Sequence, residues 1–243
     1  MLIVAYHAIG TPASRVTVPA GQLQDDLSAL MDAGYTFVSL DACAGWLAGD
    51  LGLPARAVAV TFDDGYASVA TAALPVLERR RVPATVFVVG GRIGLNNQWP
   101  GQPRWVPTLQ LLDAGMLREL VTAGVTIGSH SWTHSRLTAL DQAQLDDEMI
   151  GAADRLEQIA GVAVRHLAYP YGSIDPAAIA KARSRFRTAV TAACRPVYRD
   201  SDPHMLGRLD AHDLYVAARL HLLGSIALTP YLGARRGLRA LLR

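Results

Sequence analysis

Cysteine is nearly absent: Cys43 and Cys194 are the only two in 243 residues. Neither belongs to a C-x-x-C pair or recurs at a fixed spacing, which excludes a cysteine-rich zinc module and a disulfide framework. A single disulfide between them stays open, and neither is expected to ligate zinc. Charge is also scarce, with 18% charged residues and a formal net charge of +2. That balance, with no RNA- or DNA-reading motif, argues against a nucleic-acid partner. No stretch offers ~18 uninterrupted apolar residues for a membrane span. Met1-Leu2-Ile3-Val4-Ala5-Tyr6-His7 is too short an apolar run for a signal peptide and lacks a basic flank. If Met1 is the native start, a cytoplasmic protein is expected; a leader removed upstream would make it secreted or periplasmic. No repeat or linker interrupts a chain that is 51% hydrophobic, so residues 1–243 are expected to form one domain.

What is present is alternation. Apolar, β-rich runs at 2–6, 35–39, 57–62, 84–89, 125–127, 166–169 and 187–191 predict strands. Helical patterns fall between them at 19–33, 74–81, 108–123, 141–160 and 175–184, with Gly34, Gly124 and Gly161 at expected helix ends. Such alternation implies an α/β fold with a parallel sheet, as a barrel or an open doubly wound layer. His7, Asp63-Asp64, His130 and Tyr171 each follow the C-terminal end of an expected strand, which favours a barrel whose active face gathers them. Residues 90–107 lack periodicity and predict a long loop beside that face. Its Trp99 and Trp105 either stack on sugar rings or pin the loop to the core. The stretch 214–243 is apolar with arginines at 219, 235, 236, 239 and 243. It predicts a helical, basic extension packed on the barrel; contact with an anionic membrane surface is the less favoured alternative.

Ala59-Val60-Thr61-Phe62-Asp63-Asp64-Gly65-Tyr66 is the most informative segment. A buried strand ends in two adjacent carboxylates, which cannot both stay ionised cheaply without a cation or donors nearby. Taken alone, Asp64-Gly65 also fits an Asx turn. Downstream, Gly128-Ser129-His130-Ser131-Trp132-Thr133-His134 places two histidines at i and i+4, expected on one face of a helical turn. One carboxylate and two imidazoles leave coordination positions open, the pattern of a catalytic divalent-metal site.

Three motifs in order resemble the polysaccharide deacetylases with a NodB homology domain, carbohydrate esterase family 4. They are Thr61-Phe62-Asp63-Asp64-Gly65, His130-Ser131-Trp132-Thr133-His134 and Ala168-Tyr169-Pro170-Tyr171-Gly172. The likeness runs from about residue 2 to about residue 210. It implies a distorted (β/α)7 barrel, a metal on Asp64, His130 and His134, and Asp63 as general base. The family's usual late L-x-H acid has no convincing match, since His212 and His221 lie in the wrong context. His7, in Ala5-Tyr6-His7, is similar to the N-terminal Y-H of the biofilm poly-N-acetylglucosamine deacetylases and is the candidate acid; a satisfied histidine at a strand end is the alternative. Ala168 stands where many members carry an arginine, again similar to that branch. There Arg208 would supply the cation that orients Asp63, unless it is an ordinary surface arginine. Tyr171 would offer a backbone N–H to the oxyanion.

The expected activity is metal-dependent removal of N-acetyl groups from N-acetylhexosamine-containing glycans. Zinc is the first choice of ion, with Co, Ni or Mn compatible with the ligand set. Deacetylation or deformylation of a lipid-linked or small-molecule amino sugar is the alternative, followed by ester cleavage and by a glycan-binding inactive barrel. Asp175 is read as the helix cap before Pro176, His166 as structural, and Asp210 has no assigned part.

Overall fold

The computed structural model describes every residue except Pro12, Leu220, Ile226, Leu242 and Arg243, and leaves the side chains of 219 and 235–241 undescribed. The chain begins β1 (Leu2–Tyr6), β2 (Ala8–Ile9), β3 (Thr17–Val18), α1 (Ala20–Asp32), β4 (Thr36–Phe37), α2 (Leu40–Ala48) and β5 (Ala57–Phe62). It continues α3 (Leu74–Arg80), β6 (Ala84–Val88), α4 (Ala114–Thr122), β7 (Thr126–Ser129), α5 (Gln142–Leu145) and α6 (Ala152–Ala160). Then come β8 (His166–Ala168), α7 (Pro176–Arg185), β9 (Thr188–Val190), β10 (Leu209–Asp210), α8 (Ala211–Arg219) and α9 (Leu228–Leu241).

Strands pair in the order β10-β1-β5-β6-β7-β8-β9, all parallel, with β4 added beside the start of β5. The sheet curls until one segment meets both edges. Leu206 bridges Val190 of β9, and Leu209 and Asp210 pair with Val4 and Ala5 of β1. The result is the distorted barrel expected from the motifs. Alternation along the strands divides the interior in two. Val4, Tyr6, Val58, Val60, Phe62, Val86 and Val88 join the large core beneath the helices. Ile3, Ala59, Phe87, Ala168 and Val190 form a smaller inner cluster with Leu40 and Cys43 of α2. Both cysteines are buried free thiols, which settles the disulfide question.

Two expectations are corrected. Helix α2 was missed although Ser39 caps it by accepting from the Ala42 N–H, and Gly49 ends it at φ 98°. The helix expected over 108–123 starts at Ala114, capped by Asp113. Residues before it pair with the long loop instead, as where the Leu109 N–H donates to Asn97 Oδ1 at 2.8 Å. Helical structure over 141–160 is as expected but carries a π-helical turn at Asp146–Gly151. Asp175 caps α7 as anticipated. At the C-terminus, Leu214, Ala217, Leu228 and Leu232 are buried in the large core. The proposed basic face falls on Arg219, Arg235, Arg236, Arg239 and Arg243, which lie outside the described side chains. No helix among the described residues is long and apolar enough to cross a membrane.

Helix α1 presents a buried acid, Asp26, to the outer face of β1. The Tyr6 hydroxyl donates to Asp26 Oδ2 of α1 at 3.0 Å. Burial pushes the Asp26 carboxyl up to about 7, only partly offset by the Tyr6 hydrogen bond. An acid held above its unfolded value binds more protons folded than unfolded, so stability falls as pH rises from about 4 to about 7. Asp26→Asn is therefore expected to be more stable than the parent at pH 8, by at most about 4 kcal/mol. The gain should vanish below pH 4 in urea unfolding; an equal gain at both pH values would contradict this account.

Candidate active site

Strand β5 delivers the two carboxylates to different places. Asp63 continues the inward row of Ala59 and Thr61, and its N–H donates to the Tyr6 carbonyl at 2.9 Å. Asp64 and Gly65 then both turn left-handed, at φ 70° and 74°. A Cβ at Gly65 would come within 3.3 Å of the Val88 backbone, so the turn needs glycine there. Arg208 grips Asp63 with both terminal nitrogens, Nη1 to Oδ1 at 2.6 Å and Nη2 to Oδ2 at 2.7 Å. Its Nε donates to the Thr191 carbonyl at 3.0 Å, which fixes the guanidinium plane. Gly207 makes this approach feasible, because a Cβ there would lie 2.6 Å from the Arg195 carbonyl oxygen. Burial alone would raise the Asp63 carboxyl, but the Arg208 charge outweighs it and holds it below the usual range.

The two histidines do not ride on a helical turn, which corrects the expectation from their spacing. His130 directly follows β7, and the chain returns through left-handed Ser131 and His134, at φ 64° and 65°. The His134 N–H donates to Ser131 Oγ at 3.1 Å. Among the described residues, six that are not glycine have positive φ, and Asp64, Ser131, His134 and Tyr171 are four of them. Each costs roughly 1–2 kcal/mol, strain that concentrates where side chains must be aimed.

Both imidazoles point their Nε2 atoms at one oxygen: His130 and His134 each lie 3.3 Å from Asp64 Oδ1. Ligands bound tetrahedrally at roughly 2.0–2.1 Å sit about 3.3 Å apart, so this triangle suits a small divalent ion. His130 Nδ1 donates to the Ala168 carbonyl at 2.7 Å, which leaves the Nε2 lone pair free for a metal. The three donor atoms lie within 4.8 Å of one another and all three residues are buried. The residues fit the ion that the donor set implies.

Around this triangle lies a cavity of about 290 Å³ that gathers every candidate residue: His7, Asp63, Asp64, His130, His134, Tyr171 and Arg208. His7 Nε2 is 4.0 Å from Asp63 Oδ2, a gap too wide for a hydrogen bond. Asp210, unassigned from sequence, also lines the cavity. Trp99 is buried against the His134 ring, with centroids 4.2 Å apart. Trp105 is 58% exposed. Trp99 thus pins the loop against the site, while Trp105 stands at the cavity mouth. His166 is fully buried on Thr188 Oγ1, away from this cavity, as its structural reading anticipated.

The sequence profile of the family described as polysaccharide deacetylase matches residues 51–188. The chain belongs to the polysaccharide deacetylase family. It is 25% identical over 208 residues to YxkH of Bacillus subtilis; the match covers 85% of this chain and 70% of that one. It is 32% identical over 119 residues to a chitooligosaccharide deacetylase of Bradyrhizobium, covering 48% of this chain and 47% of the relative. The structure of IcaB from Ammonifex degensii superposes with a TM-score of 0.76 at 26% identity, over 90% of this chain and 96% of that one. Members of this carbohydrate esterase family hydrolyse N-acetyl amides, so the chain is a hydrolase of that class.

One residue of this deacetylase escaped the sequence reading. Glu148, in the π-helical turn, is buried and accepts from the Trp132 N–H at 3.0 Å and the Thr133 N–H at 2.9 Å. It also accepts from the Thr133 hydroxyl at 2.6 Å. These bonds tie down the loop between the two metal-facing histidines. Glu148→Gln places an amide N–H₂ or a weaker acceptor against two backbone donors. Zinc affinity in a chelator competition is expected to fall about 10–100-fold, with Glu148→Ala at least as severe. Unchanged affinity in both variants would remove Glu148 from this role.

Proposed function

We propose that this chain is a divalent-metal-dependent N-deacetylase acting on N-acetylhexosamine-containing glycans, with zinc as its ion. The observation that carries the reading is the convergence of both Nε2 atoms on Asp64 Oδ1 beside an Arg208-clamped Asp63. The chitooligosaccharide deacetylase relative supports the substrate class. An ion on Asp64, His130 and His134 would acidify a water and polarise the acyl oxygen.

The chain's own groups then divide the proton work. Asp63 takes the proton from the attacking water; Arg208 uses one lone pair of each carboxylate oxygen and leaves another to accept. His7, across the 4.0 Å gap, gives a proton to the departing amine. The backbone N–H of Tyr171, whose left-handed φ of 58° re-aims the chain at that point, supports the oxyanion. Arg208 is a positioning residue, holding Asp63 ionised and fixed in plane.

The test is acetate release from N-acetylglucosamine oligomers and O-acetylated sugars by chelator-stripped protein, with and without added zinc or cobalt. The expected result is release from the N-acetyl substrates that returns with about one equivalent of metal. Release that ignores the metal would refute the proposed chemistry. Release from esters alone would move the activity to O-deacetylation.

A further inference from the structure

Four of the loops around the cavity are charged in one sense only. Residues 8–18, 95–108, 131–140 and 169–174 contain Arg15, Arg104 and Arg136 but no aspartate or glutamate. All three arginines are exposed. None of them makes an ion pair among the described residues. Two are held over rings that line the cavity: Arg15 Cζ sits 5.8 Å from the Trp105 ring centroid and Arg136 Cζ 4.4 Å from that of Tyr171. Tyr171 in turn meets the His134 ring edge-on at 4.5 Å, so Arg136 is one ring removed from the metal-facing histidines.

A guanidinium stacked on a ring keeps its N–H edge free to bind an oxyanion, and the aromatic face beneath it orders the side chain in advance. The carboxylates in the cavity itself do not cancel these rim charges. Asp63 is neutralised by Arg208, and Asp64 faces the two imidazoles. A cation-free rim would suffice for a neutral sugar polymer. We propose that the preferred substrate is an anionic glycan, one bearing a phosphate or carboxylate on or next to the N-acetylated sugar, with Arg15 and Arg136 as its binding residues. The inference rests on the deacetylase reading for its acyl chemistry and adds the substrate class.

The test measures binding, so that it stands apart from turnover. The full zinc-loaded chain is titrated by tryptophan fluorescence with N-acetylglucosamine 1-phosphate, with a glucuronate–N-acetylglucosamine disaccharide, and with neutral di-N-acetylchitobiose. One or both anionic sugars are expected to bind about tenfold tighter or more than the neutral one, and the arm that does identifies the anion. The preference should shrink in about 0.5 M salt and approach unity in the Arg15→Gln/Arg136→Gln double variant. Equal affinities would overturn the proposal. So would a preference that survives the double variant, which would place the anion on the metal, or an equal loss for all three ligands, which would make the arginines mere ring clamps. Failure of metal-dependent acetate release would sink the deacetylase chemistry while leaving this binding result standing.

Discussion

Asp63→Asn is expected to lower kcat by about three orders of magnitude while zinc still binds with unchanged stoichiometry. The substitution keeps the shape of the side chain and removes the acceptor for the water's proton, a contribution of about 10²–10⁴ for a general base. Asp64, His130 and His134 keep their own geometry, since Asp63 makes no contact that positions His130 or His134. Asp64→Asn should differ, losing both zinc and turnover, because its Oδ1 is the point on which both Nε2 atoms converge. The measurement is a zinc titration beside initial rates of acetate release for each variant. Full activity in Asp63→Asn would refute the base assignment, and loss of zinc from it would make Asp63 a ligand.

The chemistry was legible in the sequence where it falls at strand ends. A run such as Ala57–Phe62 declares a buried strand by composition, and polar residues immediately after it can only face the barrel mouth. The pairing of Asp63 with Arg208 was reachable only by resemblance, through Ala168 standing in an arginine's place. Strand β10, which aims Arg208, is two residues long and has no period to detect. The loop from His130 to His134 misled for a related reason. Spacing of i and i+4 is a helical signature, but the left-handed Ser131 and His134 carry no glycine to announce them.

Glu148 was illegible for another cause. It stands in Asp146-Asp147-Glu148, which in sequence is indistinguishable from the solvated face of a helix. The π-helical turn places it 8% exposed beneath the histidine loop, while Asp147 beside it is exposed. Trp99 likewise could not be told from Trp105 until the loop was seen to fold one against His134 and leave the other at the mouth. In each case the deciding information is which long-range neighbour a side chain meets.

Arg208→Met tests the positioning of the base from the other side. Its guanidinium is buried, and four of its contacts are directed: two to Asp63, one to the Thr191 carbonyl, and one to Thr61 Oγ1 at 3.3 Å. Methionine fills most of that volume but leaves the Asp63 carboxylate buried without its partner. Breaking a buried ion pair from one side costs about 3–5 kcal/mol, so a large fall in the thermal or urea midpoint is expected. With burial unopposed, the Asp63 carboxyl shifts upward, so less of it is ionised and it is no longer held in plane, and kcat should drop about 100-fold with KM little changed. Arg208→Lys separates charge from geometry: one ammonium restores the attraction but cannot bond both oxygens in plane. It should recover most of the stability and only part of the rate. A lysine variant with full kcat would show that charge alone suffices, and an Arg208→Met protein as stable and active as the parent would dissociate Arg208 from the site.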